Sequence, residues 1–309
     1  MKRLSIIVPT KDRMAAIMEL LESLRRIASC DGVSAEIVVA DNGSEDQTFD
    51  AVTSLVKDFP TPLKVIKVSR PGKSAAANEA VKSATGELLA FLDDDVVVEA
   101  NWLCAVRDFF HDRGFQIGQG SILLPPQTDP ATLRLVDLYR TVPRIEYDTT
   151  VSSVHSLNGA NFFMTRELFE RVGGFDERLG PGASGTSEDV ELAWRVSRTG
   201  VTIGYAAKAV VFHRIDPSRL TEAYFRQSHR RQGASRFLMR AHSRLEIYLD
   251  LWRSINQYGF YTLFGKERSR YRSKGRIYHY LGMLEARRKA RLSVRARAGL
   301  APRSPSLIE

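Results

Sequence analysis

Cysteine and long apolar segments are nearly absent from this sequence. Cys30 and Cys104 are the two thiols among 309 residues, which excludes a disulfide framework and favours a reducing compartment. No run of about 18 or more apolar residues occurs, so no segment is expected to span a bilayer. The first apolar run ends at Lys11 and Asp12 and is too short for a signal peptide. We therefore expect a cytoplasmic protein.

Acidic residues are scarce in one part of the chain only. Residues 213–309 contain 22 Lys and Arg against seven Asp and Glu, while the whole chain has a formal net charge of +9. The first 212 residues are therefore net acidic. The hydrophobic fraction of 43% is ordinary for a globular chain that can bury a large core. An acidic body followed by a basic region predicts two separate tasks, the second with an anionic partner.

The first hundred residues alternate between short apolar runs and segments with helical spacing. The apolar runs predict four strands, and the segments between them predict three helices, the second of which has a capping box of Ser44 and Gln47. Strands that are nearly continuous in apolar residues are typical of a parallel sheet covered by helices on both faces. The predicted strands are residues 4–8, 36–40, 63–68 and 88–92, and the predicted helices are residues 14–27, 44–57 and 74–84.

From about residue 101 the pattern changes to longer, mixed elements. It predicts helices at 102–110, 166–172 and 188–198, a strand in NGANFFMT, and two short strands at 201–205 and 209–212. Beyond Pro217 the sequence is helical and basic. Together these patterns predict an α/β fold with a mostly parallel sheet flanked by helices and a basic helical C-terminal extension.

Three adjacent carboxylates, Asp93 to Asp95, directly follow the fourth predicted strand. On an extended chain Asp93 and Asp95 point to the same side, and two hard oxygen ligands suit Mg²⁺ or Mn²⁺ bound through a substrate phosphate. The alternative is a solvated acidic turn. Ligands bind beyond the carboxyl ends of parallel strands, where the loops PTKDR and ADNGSEDQT are also expected, so the position favours a metal site.

Three further residues in this half are candidates for a nucleotide site. Asp41 ends the second strand, where it can bind a base or ribose, or form an Asx turn. In RPGKSAAANEA, Lys73 and Asn78 lie at the start of the third helix, after Arg70 in the loop. Lys73 near a helix N-terminus suits a diphosphate, and an exposed surface lysine is the alternative.

Two carboxylates in SEDVELAWR open a later predicted helix. Glu188 and Asp189 follow a flexible Gly-Ser loop, and one of them can take a proton from an attacking hydroxyl. The alternative is that both stabilise the helix dipole. His213 ends the last predicted strand, either as a metal ligand or as an ordinary core or surface histidine.

An ordered set of motifs resembles those of the family 2 glycosyltransferases, which have the Rossmann-like GT-A fold. The motifs are SIIVPTKDR, VVADNGSEDQT, RPGKSAAANEAV, GELLAFLDDDV, NGANFFMTRELFERVGGFDERL and SEDVELAWRVSRTG. The resemblance covers residues 4–212. It implies a nucleotide-sugar-binding half at residues 1–100, an acceptor-binding and catalytic half of the same domain at 101–212, and a basic helical region at 213–309.

The resemblance also implies residue roles. Asp93 and Asp95 match the family's DxD motif, which engages the ribose and the metal of the donor diphosphate. Asp189 matches the catalytic base and Glu188 its neighbour, while Asp41 matches the acidic residue that contacts the nucleobase. The full expected donor site is Pro9, Thr10, Asp41, Lys73, Asn78, Asp93 and Asp94, with Asp93, Asp95 and, less securely matched, His213 at the metal.

The implied reaction is metal-dependent, inverting transfer from a nucleotide-sugar to a glycan or lipid-linked acceptor, in the synthesis of cell-surface polysaccharide or glycolipid. The expected metal is Mn²⁺ or Mg²⁺. The expected donor is a UDP-sugar, ahead of a GDP- or dTDP-sugar. One departure favours transfer of a single sugar: the Gln-x-x-Arg-Trp signature of processive members has as its nearest counterpart RQSHRRQGAS, without Trp. A sugar nucleotidyltransferase and a polyanion-binding protein remain alternatives, and nucleic acid is not an expected partner.

The basic region contains a further predicted surface. Arg230 and Arg231 follow soon after the last strand, where they could help to close the donor diphosphate site. Apolar residues from Leu245 to Ile255 share one helical face, and aromatic residues up to Phe264 are mixed with Lys and Arg. This mixture predicts contact with an anionic membrane surface, peripheral on the inner face of the cell membrane. Packing on the body, or oligomer formation, is the alternative.

Overall fold

The computed structural model describes residues 2–27, 30–112, 114–240 and 242–297. The chain forms two compact units. The first comprises Met1–Val136 and Arg140–Leu220, and the second, here called the helical unit, comprises Asp137–Tyr139 and Thr221–Glu309.

A nine-stranded sheet forms the centre of the first unit. The strands lie in the order β3-β2-β1-β4-β8-β6-β9-β5, and β7 pairs with β9. Strands β3, β2, β1 and β4 are parallel, whereas β8 runs antiparallel to both β4 and β6. The strands are β1 (Lys2–Thr10), β2 (Val33–Asp41), β3 (Leu63–Lys67), β4 (Leu88–Leu92), β5 (Val96–Val98), β6 (Ile117–Leu123), β7 (Ser153–Val154), β8 (Asn161–Thr165) and β9 (Ile203–His213).

Helices cover both faces of this sheet, as the apolar strands predict. Alternate residues of β1 belong to different cores: Leu4 and Ile6 pack with α1 and α4, and Ile7 packs with α3 and α7. The helices are α1 (Met14–Arg25), α2 (Thr48–Leu55), α3 (Lys73–Ser83), α4 (Trp102–Asp112), α5 (Pro130–Tyr139), α6 (Arg166–Val172) and α7 (Glu188–Ser197). The expected α/β class with a mixed, mostly parallel sheet is confirmed.

Two local predictions are wrong. The second helix begins at Thr48 without a capping box, because the hydroxyl of Ser44 accepts a hydrogen bond from the Asp12 N–H at 2.9 Å. The two strands expected at 201–205 and 209–212 form one continuous strand, β9, whose register against β6 shifts between Gly120 and Ser121. The β-bulge accommodates the residues between the two predicted strands, which the sequence pattern had indicated as a break.

The helical unit contains α8 (Glu222–Met239), α9 (Arg244–Leu263) and α10 (Glu267–Arg297). The backbones of α8 and α10 are in contact at Gly233. A Cβ atom on Gly233 would lie only 1.9 Å from the carbonyl oxygen of His279, so a side chain would prevent this approach. Among the described residues, no helix combines the length and the apolar character that a membrane span requires.

Candidate active site

An open cleft lies at the carboxyl ends of β1, β2 and β4. Its lining includes six of the expected residues: Pro9, Thr10, Lys73, Asp93, Asp94 and Asp95. A smaller adjoining space shares Pro9, Lys73 and Asp93 with the cleft and adds Glu188 and Asp189. The two spaces therefore place the motifs of the first half next to the carboxylates that open α7.

Lys73, the first residue of α3, joins these two groups of carboxylates. Its Nζ contacts the Asp93 carboxylate and lies 3.3 Å from Oε1 of Glu188. Burial opposes the charge of the ammonium, but Asp93 and Glu188 outweigh it and raise the pKa of Lys73. The interpretation as an exposed surface lysine is therefore excluded.

Two arginines that the sequence did not identify compensate the other two carboxylates of the DDD motif. Nη1 of Arg13 lies 3.3 Å from Asp94 Oδ1 and 2.8 Å from Asp95 Oδ2, and Nη2 of Arg219 lies 2.9 Å from Asp95 Oδ2. Thr10 Oγ1 donates a hydrogen bond of 2.7 Å to Asp94 Oδ2. Asp94 and Asp95 are both buried, so a solvated acidic turn is excluded for them.

These surroundings give the neighbouring carboxyls opposite electrostatic properties. Burial raises the pKa of Asp94 to about 6, against the opposing charge of Arg13. Burial also opposes ionisation of Asp95, but the guanidinium groups of Arg219 and Arg13 together lower the pKa of this carboxyl. Asp95 therefore remains an anion, and a ligand for a cation, over a wider pH range than its neighbour.

His213 ends β9 with its ring fully buried beside Asp95. Its Nδ1 lies 2.7 Å from the carbonyl oxygen of Arg214, and a carbonyl can only accept, so Nδ1 carries the proton. In the neutral ring Nε2 then has a free lone pair. This buried atom lies 3.3 Å from Asp95 Oδ1 and has no hydrogen-bond partner among the described residues.

These observations test whether a divalent metal fits the site. One potential ligand atom from each of Asp93, Asp95 and His213 falls within 4.8 Å of the other two. Two carboxylates and a neutral imidazole are a donor set that Mn²⁺ and related divalent ions accept. The orphaned Nε2 of His213 gives the set an acceptor that the protein itself leaves unused. The residues therefore fit the group, and they do not distinguish one divalent ion from another.

Asp41 ends β2 and is buried. Its Oδ2 accepts the Ser44 N–H at 3.1 Å, so the residue does shape the following turn. Its Oδ1 is buried without a hydrogen-bond partner in the described part of the chain. Because an orphaned buried oxygen is costly, this atom is a candidate acceptor for a ligand.

Asn42, a second residue that the sequence did not identify, fixes the loop that leads to Lys73. Its amide Nδ2 donates to the Arg70 carbonyl at 2.7 Å, and its Oδ1 accepts the Gly72 N–H at 2.7 Å. The loop that contains Pro181 packs against the same segment, because the Lys73 N–H donates to the Pro181 carbonyl at 2.9 Å. A Cβ atom on Gly182 would lie only 2.8 Å from Cα of Gly72.

The opposite wall of the adjoining space carries the candidate base. Helix α7 begins at Glu188, after Ser187 in the left-handed region at φ 75°. Asp189 Oδ2 accepts the N–H of Gly159 at 2.8 Å, and its Oδ1 accepts the N–H of Val190 at 2.7 Å. Burial first, and then the charge of Glu188, raises the pKa of Asp189 to about 7. Asp189 is thus a carboxyl that exchanges a proton near neutral pH.

Gly159 lies where these groups converge, although in the sequence it stands out only as a glycine before a predicted strand, within the motif NGANFFMTRELFERVGGFDERL. A Cβ atom there would lie 3.0 Å from Lys73 Nζ, 3.6 Å from Asp93 Oδ1 and 3.8 Å from Asp189 Oδ2. The absent side chain leaves space between the DDD motif and the candidate base.

One expected donor residue has a structural role, and two others belong to the helical unit. The amide of Asn78 is fully used in holding the following segment, since it donates to the Phe175 carbonyl at 3.0 Å and to Glu177 at 3.2 Å and accepts the Phe175 N–H at 3.0 Å. Asn78 therefore has a structural function and is not in the lining of the cleft. Arg230 and Arg231 lie on α8 of the helical unit, where Arg230 Nη1 is 3.3 Å from Glu285 Oε1. Their contribution to a diphosphate site stays a prediction.

A family model described as glycosyl transferase family 2 matches residues 5–173, more than half of the chain. The chain belongs to this family. The match includes the DDD motif and Gly159, and ends before Glu188 and His213.

Relatives of similar sequence are named for glycan and glycoside synthesis. The pre-mycofactocin glycosyltransferase of Mycobacterium tuberculosis is 24% identical over 216 residues, covering 68% of this chain and 42% of the relative. The succinoglycan biosynthesis protein ExoM of Rhizobium meliloti is 25% identical over 219 residues, covering 70% of this chain and 69% of ExoM. The chain thus spans less than half the length of the mycobacterial relative.

Solved structures with the same fold include the mannosyltransferase PcManGT from Pyrobaculum calidifontis in complex with GDP-Man and Mn²⁺. It has a TM-score of 0.56 at 19% identity, and the alignment covers 97% of this chain and 77% of PcManGT. S. aureus TarS 1–349 in complex with UDP-GlcNAc has a TM-score of 0.56 at 17% identity, covering 97% and 93%. At these identities the likeness concerns the fold, and it confirms the GT-A architecture.

Proposed function

We propose that this glycosyltransferase moves one sugar from a nucleotide-sugar donor to a hydroxyl of a glycan or lipid-linked acceptor, with inversion at the anomeric carbon. The observation that carries the proposal is the space beside Gly159, which has Lys73 and Asp93 on one side and Asp189 on the other. A departing diphosphate needs cations, and an attacking hydroxyl needs a base. Lys73 supplies a cation and Asp189 a base, and both line this space.

The donor would bind along the carboxyl ends of β1, β2 and β4. Pro9 and Thr10 would line the base pocket, where the unpaired Oδ1 of Asp41 accepts a hydrogen bond from the nucleobase. Lys73 and the arginines Arg13 and Arg219, now paired with the DDD motif, would pair with the diphosphate oxygens. Asn78 is left out of this set because its amide is already engaged.

Asp93, Asp95 and His213 would hold the divalent metal, Mn²⁺ or Mg²⁺. When bound, such an ion neutralises negative charge that develops on the departing diphosphate. Asp95 suits this position because its depressed pKa keeps the carboxylate charged, and His213 because its Nε2 has a free lone pair.

Asp189 would act as the general base. Backbone N–H groups of Gly159 and Val190 hold both of its oxygens, and its pKa of about 7 matches the proton affinity of an effective base near neutral pH. The proton of the acceptor hydroxyl passes to Asp189 as the oxygen attacks the anomeric carbon from the face opposite the diphosphate. A single displacement of this kind inverts the configuration.

The comparisons support a nucleotide-sugar donor without choosing the base, since PcManGT is in complex with GDP-Man and TarS with UDP-GlcNAc. We place UDP-sugars first. The relationship to a succinoglycan biosynthesis protein supports a function in cell-surface polysaccharide or glycolipid synthesis. Transfer of a single sugar is supported by the RQSHRRQGAS segment, which lacks the Trp of the processive signature.

The direct test is a thermal-shift screen of the full chain with UDP-, GDP- and dTDP-sugars, each with Mn²⁺, Mg²⁺ or a chelator. We expect one nucleotide class to raise the melting temperature only when the metal is present, and Asp93→Asn to abolish that rise. Asp58→Asn, an exposed carboxylate after α2, is the matched control and should behave as wild type. A shift with no nucleotide-sugar, or one that Asp93→Asn leaves intact, would contradict the donor site.

The stereochemistry is measured separately. Once a donor is known, NMR of the first product should show the anomeric configuration opposite to that of the donor. Retention would rule out a single displacement with Asp189 as the base.

A further inference from the structure

Helix α9 has two apolar faces, of which only one is used by the fold. Ile247 and Ser254 are buried on the inner face, where α9 packs against α10. The opposite side carries large apolar side chains that are exposed, from 45% for Leu249 to 85% for Leu263. We call this second side the α9 outer face; its residues are Leu245, Tyr248, Leu249, Trp252, Ile255, Phe260, Leu263 and Phe264.

The outer face is a concentrated patch. Eight of the 15 large apolar side chains that are exposed in the described residues lie between Leu245 and Phe264. Single exposed apolar residues are ordinary on a protein surface, whereas a contiguous set of this size marks an interaction site. The fold does not require the residues, because the inner face already anchors the helix.

Basic residues surround the outer face. Helical spacing places Arg244 one turn before Tyr248 on one border and Arg253 one turn after Leu249 on the other, and both arginines are exposed. Helix α10, which packs on the inner face of α9, carries eleven Lys and Arg against two Glu and makes the helical unit as a whole basic. The two acids of α9 have internal partners: Glu246 completes the capping box of Ser243, and Asp250 lies 3.2 Å from Arg253.

Two occupants of an apolar face are plausible, a second copy of the chain and a lipid surface, and charge separates them. Two copies would bring two strongly basic helical units together, and like charges oppose that association. An anionic bilayer surface attracts the same cations, and the outer face supplies apolar side chains to lie among the lipids. Tyr248 and Trp252 also suit the boundary between headgroups and acyl chains.

We infer that the α9 outer face is a membrane-interfacial surface that binds bilayers containing anionic lipid, with α9 lying in the plane of the headgroups. The inference does not depend on glycosyl transfer, so its failure would leave the proposed function untouched. If both hold, the enzyme is held beside lipid-linked acceptors.

Vesicle co-sedimentation of the full chain tests the inference. We expect binding to phosphatidylcholine vesicles that contain about 30% phosphatidylglycerol, and much weaker binding to phosphatidylcholine alone. Raising the salt from about 0.1 M to about 0.5 M should weaken the binding at least several-fold. Equal binding to both vesicles, or none at low salt, would overturn it.

Variants locate the surface. Trp252→Ser combined with Leu263→Ser should reduce vesicle affinity by about tenfold or more, because both side chains leave water on binding. Trp194→Ser, which removes an exposed tryptophan of the first unit, is the matched control and should bind as wild type. An unchanged affinity in the double variant would remove α9 from the binding surface.

Tryptophan fluorescence gives a reading at one residue. In a Trp194→Phe background the remaining tryptophans are Trp102, which is fully buried, and Trp252, which is exposed. Anionic vesicles should shift the emission to shorter wavelength, and lipids with brominated acyl chains should quench it. A blue shift that appears on raising protein concentration without lipid, together with a dimer in sedimentation velocity that Trp252→Ser dissociates, would assign the face to self-association and overturn the inference.

Discussion

The cleft and the α9 outer face differ in how they are prepared for a ligand. In the cleft the clustered carboxylates already have cationic partners: Lys73 contacts Asp93, while Arg13 and Arg219 contact Asp95. On the outer face apolar residues remain mostly in solvent, with Trp252 64% and Leu263 85% exposed. Charge must be compensated locally because burying it alone is expensive, whereas exposed apolar surface is tolerated until a partner arrives. Mutations should therefore affect stability and chemistry in the cleft, and association alone on the outer face.

The largest expected effect is on chemistry. Asp189→Asn should lower kcat by about 10² to 10⁴-fold while donor affinity is retained, because the amide keeps the shape of the carboxyl but cannot accept the proton. Glu188→Gln should be milder, since Glu188 contacts Lys73 and influences the base only through its charge, which helps to raise the pKa of Asp189. Single-turnover rates and donor titrations of both variants measure this. If Glu188→Gln were the more damaging change, Glu188 and not Asp189 would be the base.

The second effect combines binding and stability. Asp95→Ala should lose about 10 to 100-fold of metal-dependent nucleotide affinity. It should also lower the free energy of unfolding by about 1–3 kcal/mol, because Arg13 and Arg219 lose their shared carboxylate. The sequence alone favours the opposite result, a more stable variant, because the substitution removes one of three adjacent negative charges. Urea unfolding against an Asp58→Ala control decides, and a stabilised Asp95→Ala variant would show that the compensation described here is weak.

The third effect is a pH dependence. The pKa of Asp189 is raised to about 7, so the folded protein binds more protons than the unfolded chain between about pH 4 and pH 7. The stability that this carboxyl contributes is complete below about pH 4 and is lost as the pH rises through 7. Asn cannot ionise, so the stability of Asp189→Asn relative to wild type should increase by about 3–4 kcal/mol between pH 4 and pH 8. Urea unfolding with chelator at several pH values measures this, and a constant difference would indicate an ordinary carboxyl.

The smallest effect sharpens the contrast. Trp252→Ser should change the free energy of unfolding by no more than about 0.5 kcal/mol, because its side chain is 64% exposed. It should leave nucleotide affinity unchanged. Melting curves and donor titrations in the absence of lipid are sufficient. A clear loss of stability would mean that the outer face is part of the folded core.

The fold and the acidic half of the site were predictable from the sequence because both follow from local patterns. Continuous apolar strands indicate a parallel sheet, and that sheet brings Pro9, Asp41 and Asp93 to one edge. Sequence spacing could not reveal Arg13 and Arg219, since their pairing with Asp95 depends on how distant loops fold back. Nor could it show that Asn78 faces Phe175 instead of the cleft. Glycine at 159 carries no local signal, because its importance lies in what surrounds the missing side chain.

The close approach of Gly72 and Gly182 has a consequence for how the sequence can vary. Both residues adopt positive φ angles, 115° and 85°, and a Cβ atom on Gly182 would lie 2.8 Å from Cα of Gly72. A side chain at Gly182 would therefore displace one of the two loops, which end at Lys73 and lead to Glu188 and Asp189. Gly72 has room for a Cβ atom, but its backbone angle is strained for any other residue. In a saturation library selected for activity, both should be depleted of every substitution, although no glycine has a functional group to lose.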